Sequence, residues 1–271
     1  MRTDRLLLIA LFCLFVGPSV RAEDSPPLRA LLVCGGCCHD YVKQKKILAE
    51  GVSARANVVW TVYQESKSKG HKNSAYTADD WAKGYDVVLH NECYGGVGDD
   101  DFVAKITDAH KQGLGGVNLH CSMHSYRAAK KKEWHQYLGV GYYGHGPKSG
   151  IKVELKKTDH PILKGLKNWE TKEGELYNIR DLHEGTEVLA EGTRINKPAT
   201  MPLMWTNTYG KGKVFSMTLG HHNSTMEMPQ YLDVVARGVL FVAGKLDENG
   251  QPKKGYGPVK RDNYITEKSA K

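Results

Sequence analysis

Between residues 28 and 138 short apolar runs alternate with longer amphipathic stretches. Leu28 to Val33, Asn57 to Tyr63, Tyr85 to His90 and Gly116 to His120 are apolar and rich in β-branched residues, as strands buried on both faces of a parallel sheet are. Between the first two, Tyr41 to Ser53 reads as a helix with Asp40 as its N-cap. Asp99, Asp100 and Asp101 cap a second helix in which Phe102, Val103, Ile106 and Ala109 share one face, and Gly113 and Gly115 close it. This alternation with short connections predicts an α/β fold of the flavodoxin-like type, a mostly parallel sheet with helices on both faces. After Leu138 the pattern changes. Ile151 to Leu155, Glu187 to Ala190, Met201 to Thr206 and Lys213 to Leu219 are strand-like without long helices between them, which predicts added antiparallel strands. A last helix carries Leu232, Val235, Val239, Val242 and Leu246 at helical spacing, with Ser224 and Glu227 as its capping box.

The chain's ends bear on where the protein works. Arg2 and Arg5, the apolar stretch Leu6 to Val16 and then Val20-Arg21-Ala22 read as an export signal over residues 1–22, predicting a periplasmic or secreted protein. That stretch is too short to span a bilayer, and no later segment approaches ~20 apolar residues, so no stable membrane insertion is expected. One domain over residues 23–245 follows, then a basic tail, 246–271, expected to be solvated. Of the net charge of +8, +6 survives loss of the leader. It is not gathered with aromatics on one face, so no nucleic-acid partner is expected. Cys34, Cys37, Cys38, Cys93 and Cys121 remain, and in a chain able to build a core most are expected free or buried, with room for one bridge.

Four of the twelve histidines stand where an apolar run ends: His39, His90, His120 and His221. The carboxyl ends of parallel strands line one crevice, so these side chains are expected to converge. Imidazole suits metal ligation or proton transfer near neutral pH. His124 lies four residues after His120 at a strand-to-helix turn, a spacing that serves a metal on a continuous helix and otherwise leaves one functional and one surface histidine. His145 is expected at the crevice, and His71, His110, His135 and His183 in solvent.

The order of Gly35-Gly36 with a following histidine, Leu119-His120-Cys121-Ser122, His160-Pro161, Glu175-Leu176-Tyr177, Pro202-Leu203-Met204-Trp205, Tyr209-Gly210-Lys211-Gly212 and Leu219-Gly220-His221 resembles the trehalose-utilisation, or ThuA-like, family across most of residues 28–245. The resemblance implies a fold similar to class I glutamine amidotransferases and a role in carbohydrate catabolism. Its motif positions here are His39, His120, Glu175, Tyr177 and His221. The chain departs from the family's pattern at Cys121, usually a small residue, at Gly174, usually acidic, and in its extra cysteines around Cys34 to Cys38.

Two imidazoles and a carboxylate, His120, His221 and Glu175, make a ligand set for a divalent metal, zinc or similar, with His39 or Tyr177 to move a proton. Without a metal, Glu175 acts as base and the histidines as hydrogen-bonding acids. The substrate would be a small carbohydrate, a sugar or oxidised sugar of trehalose-like or keto-glycoside type. Gly35, Gly36, His124, His145 and Trp205 would contact it, with Trp134, Tyr142 and Tyr143 as further stacking surfaces. Two alternatives stand beside this one: a non-catalytic sugar-binding domain, and a thiol hydrolase of amidotransferase type using Cys121 and His221. Cys34 to Cys38 followed by His39 has the outline of haem attachment, but the turn is too cramped, and neither haem nor a nucleotide is expected. The oligomeric state is not legible from the chain.

Overall fold

A computed structural model describes residues 25–268 apart from the side chains of Tyr142 and Tyr143; the expected leader lies outside the described residues. The first half alternates β1 (Leu28–Gly36), α1 (Tyr41–Ser53), β2 (Val58–Glu65), β3 (Val87–Cys93), α2 (Asp100–Lys111) and β4 (Gly115–Leu119). A 3-10 turn (His120–His124) and α3 (Glu133–Leu138) follow. Then come β5 (Val140–His145), β6 (Ser149–Leu155), β7 (Trp169–Gly174), β8 (Tyr177–Leu182), β9 (Glu187–Arg194), β10 (Thr200–Tyr209) and β11 (Gly212–Met217). Helices α4 (Asn223–Met226) and α5 (Pro229–Val242) and strand β12 (Ile265–Lys268) complete it.

A ten-stranded sheet runs in the order β12-β2-β1-β3-β4-β11-β10-β9-β6-β7. It is parallel from β12 to β11 and antiparallel beyond, as the change of pattern after Leu138 predicts. The stretch β2-β1-β3-β4-β11 is the flavodoxin-like order, whose ligand crevice lies at the strands' carboxyl ends. Strand alternation divides the core between the two faces. Ala30, Leu32 and Cys34 pack with α1 and α5, and Leu31 and Val33 pack with α2 and α3. Asp40 and Asp99 cap α1 and α2 as expected, their carboxylates accepting from the backbone amides of Lys43 and of Asp101 and Phe102, each worth about 1 kcal/mol.

Several expectations change. Ser224 and Glu227 form no capping box, because α4 ends at Met226 and α5 begins anew with a proline in its first turn. Leu246 falls beyond α5 and bridges to Pro252. Residues 246–268 are mostly exposed or half-exposed, but they return along the sheet rather than leaving it. The Tyr256 and Tyr264 carbonyls accept from the amides of Asn57 and Trp60, and β12 pairs with β2. An edge strand needs few apolar side chains, so its charged composition hid it. Among the described residues no helix is long and apolar enough to cross a membrane.

His90 does not end its strand. β3 runs three residues further, and alternation turns His90 and Glu92 together into the face under α2 and α3, where both are fully buried. His110, expected in solvent, is buried beside them. Its Nδ1 donates to the Leu114 carbonyl (3.0 Å), so its Nε2 accepts from His90 Nε2 (3.0 Å). His90 Nδ1 is then an acceptor, 3.2 Å from Glu92 Oε1. The hydroxyls of Tyr76 and Tyr126 donate to the same carboxyl at 3.1 and 3.0 Å. A protonated Glu92 completes this chain, and burial indeed pushes its pKa up to about 8 while pushing His90 and His110 down to about 3.

The consequence for stability follows by linkage. Glu92's folded pKa lies above its ordinary value of 4.5, so its contribution is full below that value and is lost as pH rises toward about 8. The histidines lie below their ordinary 6.5, so their contributions are present above it and are lost as pH falls toward about 3. The two limbs overlap below pH 6.5; from pH 6.5 to 8 the Glu92 limb dominates in this network. Thermal melts of the wild type should show the melting temperature falling across that interval, and Glu92→Gln should flatten the fall. An identical slope in both proteins would show that Glu92 is not protonated in the fold.

Candidate metal centre

Three of the four strand-end histidines meet. His39 follows β1, His120 is the first residue past β4, and His221 follows β11 through Gly220. Their ring centroids lie 4.9 Å (His39–His120), 4.8 Å (His39–His221) and 5.3 Å (His120–His221) apart. One ring nitrogen from each falls within 4.8 Å of the others. Glu175 arrives from the connection between β7 and β8 and is 8 % exposed. Its Oε2 lies 3.0 Å from His221 Nδ1, 3.5 Å from His120 Nε2 and 3.6 Å from His145 Nε2.

Local backbone makes this approach. His120 has a φ of 42°, a left-handed conformation that residues bearing a Cβ seldom adopt outside functional turns. Gly220 has a φ of 124°, and a Cβ there would stand 2.8 Å from the Tyr231 hydroxyl and 3.4 Å from His120 Cβ. Glycine is what lets the exit of β11 close on His120.

Hydrogen bonds fix which ring nitrogens point inward. His120 Nδ1 lies 2.7 Å from the Thr218 carbonyl, and His145 Nδ1 lies 2.9 Å from the Gly146 carbonyl. A carbonyl only accepts, so both Nδ1 atoms carry hydrogen, and Nε2 is the nitrogen that each ring turns toward Glu175. His39 Nδ1 is buried without a hydrogen-bond partner. Burial lowers His39 to about 3, with His120 and His221 adding to the effect, and burial also lowers His120 against the opposing pull of Glu175. Burial pushes the Glu175 carboxyl up, but its bonds to His120 and His221 outweigh this and hold it well below the usual carboxylate range. A carboxylate therefore meets two imidazoles that resist protonation, those of His39 and His120. A backbone carbonyl behind a histidine is also the usual support of a metal ligand. Three imidazoles and one carboxylate fit a divalent cation such as zinc.

Against known proteins, a profile of the ThuA domain, described as trehalose utilisation, matches residues 29–242. The chain belongs to the ThuA family. Membership ties it to trehalose utilisation and so to a carbohydrate-related role. A ThuA-like protein of Parabacteroides merdae has a similar structure, with a TM-score of 0.65 at 20 % identity, over 89 % of this chain and 99 % of that one. A ThuA-like protein of Bacteroides uniformis follows, at 0.60 and 15 %, over 83 % and 95 %. A cytoplasmic protein of Salmonella typhimurium gives 0.53 and 15 %, over 78 % and 98 %. At these identities the likeness is one of fold. Among curated protein sequences, none matches this one.

The remaining residues singled out from the sequence divide on this ThuA scaffold. His124 and His145 stack with centroids 5.5 Å apart and line a cavity of about 410 Å³ together with Lys69 and Arg127. Burial lowers His124 to about 3, so it is neutral there. Tyr177 is fully buried and sets its ring 5.0 Å from that of His120 and 4.9 Å from that of His124. Gly35 and Gly36 are packed tightly into the sheet. The Gly36 amide donates to the Ser66 carbonyl, and a Cβ on either glycine would collide, with Tyr94 at Gly35 and with the Cys93 backbone at Gly36.

Trp205 and Trp134 cannot stack on a sugar. Both are buried, and their indoles donate to the carbonyls of Leu138 and Ser122 at 2.8 Å. The side chains of Tyr142 and Tyr143 lie outside the described residues. His71 is half-buried and pairs with Glu65 at 2.7 Å. The cysteines form two bridges, Cys37–Cys38 and Cys93–Cys121, and leave Cys34 buried, its thiol pushed up to about 12 by burial. A bridged Cys121 has no thiolate to give, so the thiol-hydrolase alternative lacks its nucleophile here.

Proposed function

We propose that this ThuA-family protein is an enzyme acting on a sugar or oxidised sugar, trehalose-like or keto-glycoside in type, at a divalent-cation centre held by His39, His120, His221 and Glu175. The observation that carries the proposal is the convergence of one ring nitrogen from each of His39, His120 and His221 within 4.8 Å of one another, with the Glu175 carboxylate 3.0 Å from His221 and 3.5 Å from His120. A bound cation would polarise a sugar carbonyl or a pair of hydroxyls, or acidify a water. The chain's own groups supply the rest. Thr218 holds His120 in one tautomer, and Glu175, ionised at neutral pH, holds His221. His145 is exposed at the cavity while its Nε2 faces Glu175, which suits it to pass a proton between substrate and carboxylate. This gives His145 the shuttle role that the sequence suggested for His39 or Tyr177. Lys69, Arg127 and His124 offer polar contacts for hydroxyls in the cavity.

A binding module has no need to set a carboxylate 3.0 Å from one imidazole among three, so the same geometry favours turnover over binding alone. We place the protein outside the cytoplasm; the leader-like first residues and the two bridges support that location. The test is incubation of the protein with trehalose and with a keto-trehalose, with and without added zinc or manganese, followed by chromatography of the products. Cation-dependent conversion, abolished by chelation, is expected. Tight sugar binding without conversion under any cation would favour the binding module.

A further inference from the structure

The four bridged cysteines are linked in space by the sheet's register. β1 and β3 align Gly36 with Cys93, which brings Cys37 beside the end of β3. β3 and β4 align His90 with Asn118, and three residues further on the same register sets Cys93 level with Cys121. Exposure falls along this path. Cys38 is exposed and Cys37 half-buried, whereas Cys93 and Cys121 are 2 % and 4 % exposed. Cys37 Sγ lies 3.6 Å from Cys93 Sγ, so a sulfur of the outer bridge touches a sulfur of the inner one. A ring nitrogen of His124 lies within 4.8 Å of the Cys93 and Cys121 sulfurs. Cys37, Cys38 and Cys93 line the cavity of about 410 Å³, as do Lys69 and Arg127. Two bridges that only staple the fold need neither mutual contact nor a shared cavity.

We propose that these cysteines form a thiol–disulfide exchange site, in which the outer Cys37–Cys38 bridge accepts two electrons from a small dithiol in the cavity and passes them to the inner Cys93–Cys121 bridge. A thiolate of the dithiol attacks Cys38 Sγ and Cys37 leaves as thiolate. The dithiol's second thiol then closes on the first, releasing the reduced Cys37 and Cys38 and a cyclic disulfide. The Cys37 thiolate attacks Cys93 Sγ across the 3.6 Å contact, and Cys121 leaves, taking a proton. Cys38 next attacks Cys37, restoring the outer bridge and releasing Cys93. The sum is one dithiol oxidised and one inner bridge reduced. The positive charges of Lys69 and Arg127 in the same cavity favour thiolates there, and His124 is placed to move the protons. Cys121 adjoins His120, so the electrons arrive next to the cation centre; the exchange itself does not rest on the sugar reaction.

The test follows alkylation of Cys93 and Cys121 by mass spectrometry while the protein is treated with dithiothreitol. In Cys37→Ser/Cys38→Ser the outer bridge is gone with almost no change of volume, and reduction of the inner bridge should slow roughly tenfold or more, since the buried sulfurs lose their relay. Equal rates in variant and wild type would overturn the proposal. Independently, Cys38→Ser/Cys121→Ser retains only the two sulfurs in contact across the bridges. Mild oxidation of the folded variant should yield a Cys37–Cys93 crosslinked peptide, and two free thiols there would overturn the proposal as well.

Discussion

Glu175→Gln should lower sugar conversion by about 10²–10³-fold while leaving the protein folded. The substitution keeps the shape of the side chain and removes the negative charge set 3.5 Å from His120 and 3.0 Å from His221, where a cation would bind. An amide can donate toward the His120 lone pair, so the fold accepts it, but the cation loses its anionic ligand. His120→Ala should fall by a similar factor for a different reason, the loss of an imidazole already oriented by Thr218. Because both residues act through one centre, the double variant should be scarcely worse than either single one. Steady-state kinetics with the cation supplied in excess checks this. Additive losses would mean that the two residues act separately.

The second large effect falls on the fold. Trp205→Ala should cost about 3–5 kcal/mol, the range for emptying a core position of an aromatic ring. In a protein of this size that lowers the melting temperature by roughly 10 °C. Trp205 is fully buried in the core under α2 and α3, and its indole donates to the Leu138 carbonyl. Trp205→Phe should recover most of the loss, because it refills the space and gives up only the hydrogen bond. A sugar-stacking tryptophan would behave in the opposite way, with KM raised and stability nearly unchanged. Denaturation midpoints and KM measured on the same preparations separate the two roles.

Trp205 also marks what a linear reading could and could not reach. Period and composition predict the helix Tyr41–Ser53 and its Asp40 cap, because local propensity and the fold agree there. The convergence of His39, His120 and His221 follows from placing three strands in one parallel sheet. His90 broke that rule since His-Asn-Glu reads as a polar strand end. Those groups instead satisfy one another inside: His90 and Glu92 with Tyr76 and His110, and Asn91 with Gln44. Buried polar residues that pair among themselves leave no mark on hydrophobic periodicity. The sequence marks Glu175 as a carboxylate beside Tyr177, but not its partner, because its nearness to His221 depends on where the β7–β8 connection returns. The bridge between Cys93 and Cys121 needed the pairing of β3 with β4, a relation that spacing along the chain does not contain.

Elemental analysis of the protein purified without chelator decides whether these residues hold a cation. One divalent ion per chain is expected, lost in His120→Ala and in His221→Ala and weakened in Glu175→Gln. Protein that carries no ion and takes none up from zinc or manganese solutions, with the same result in the variants, would contradict it.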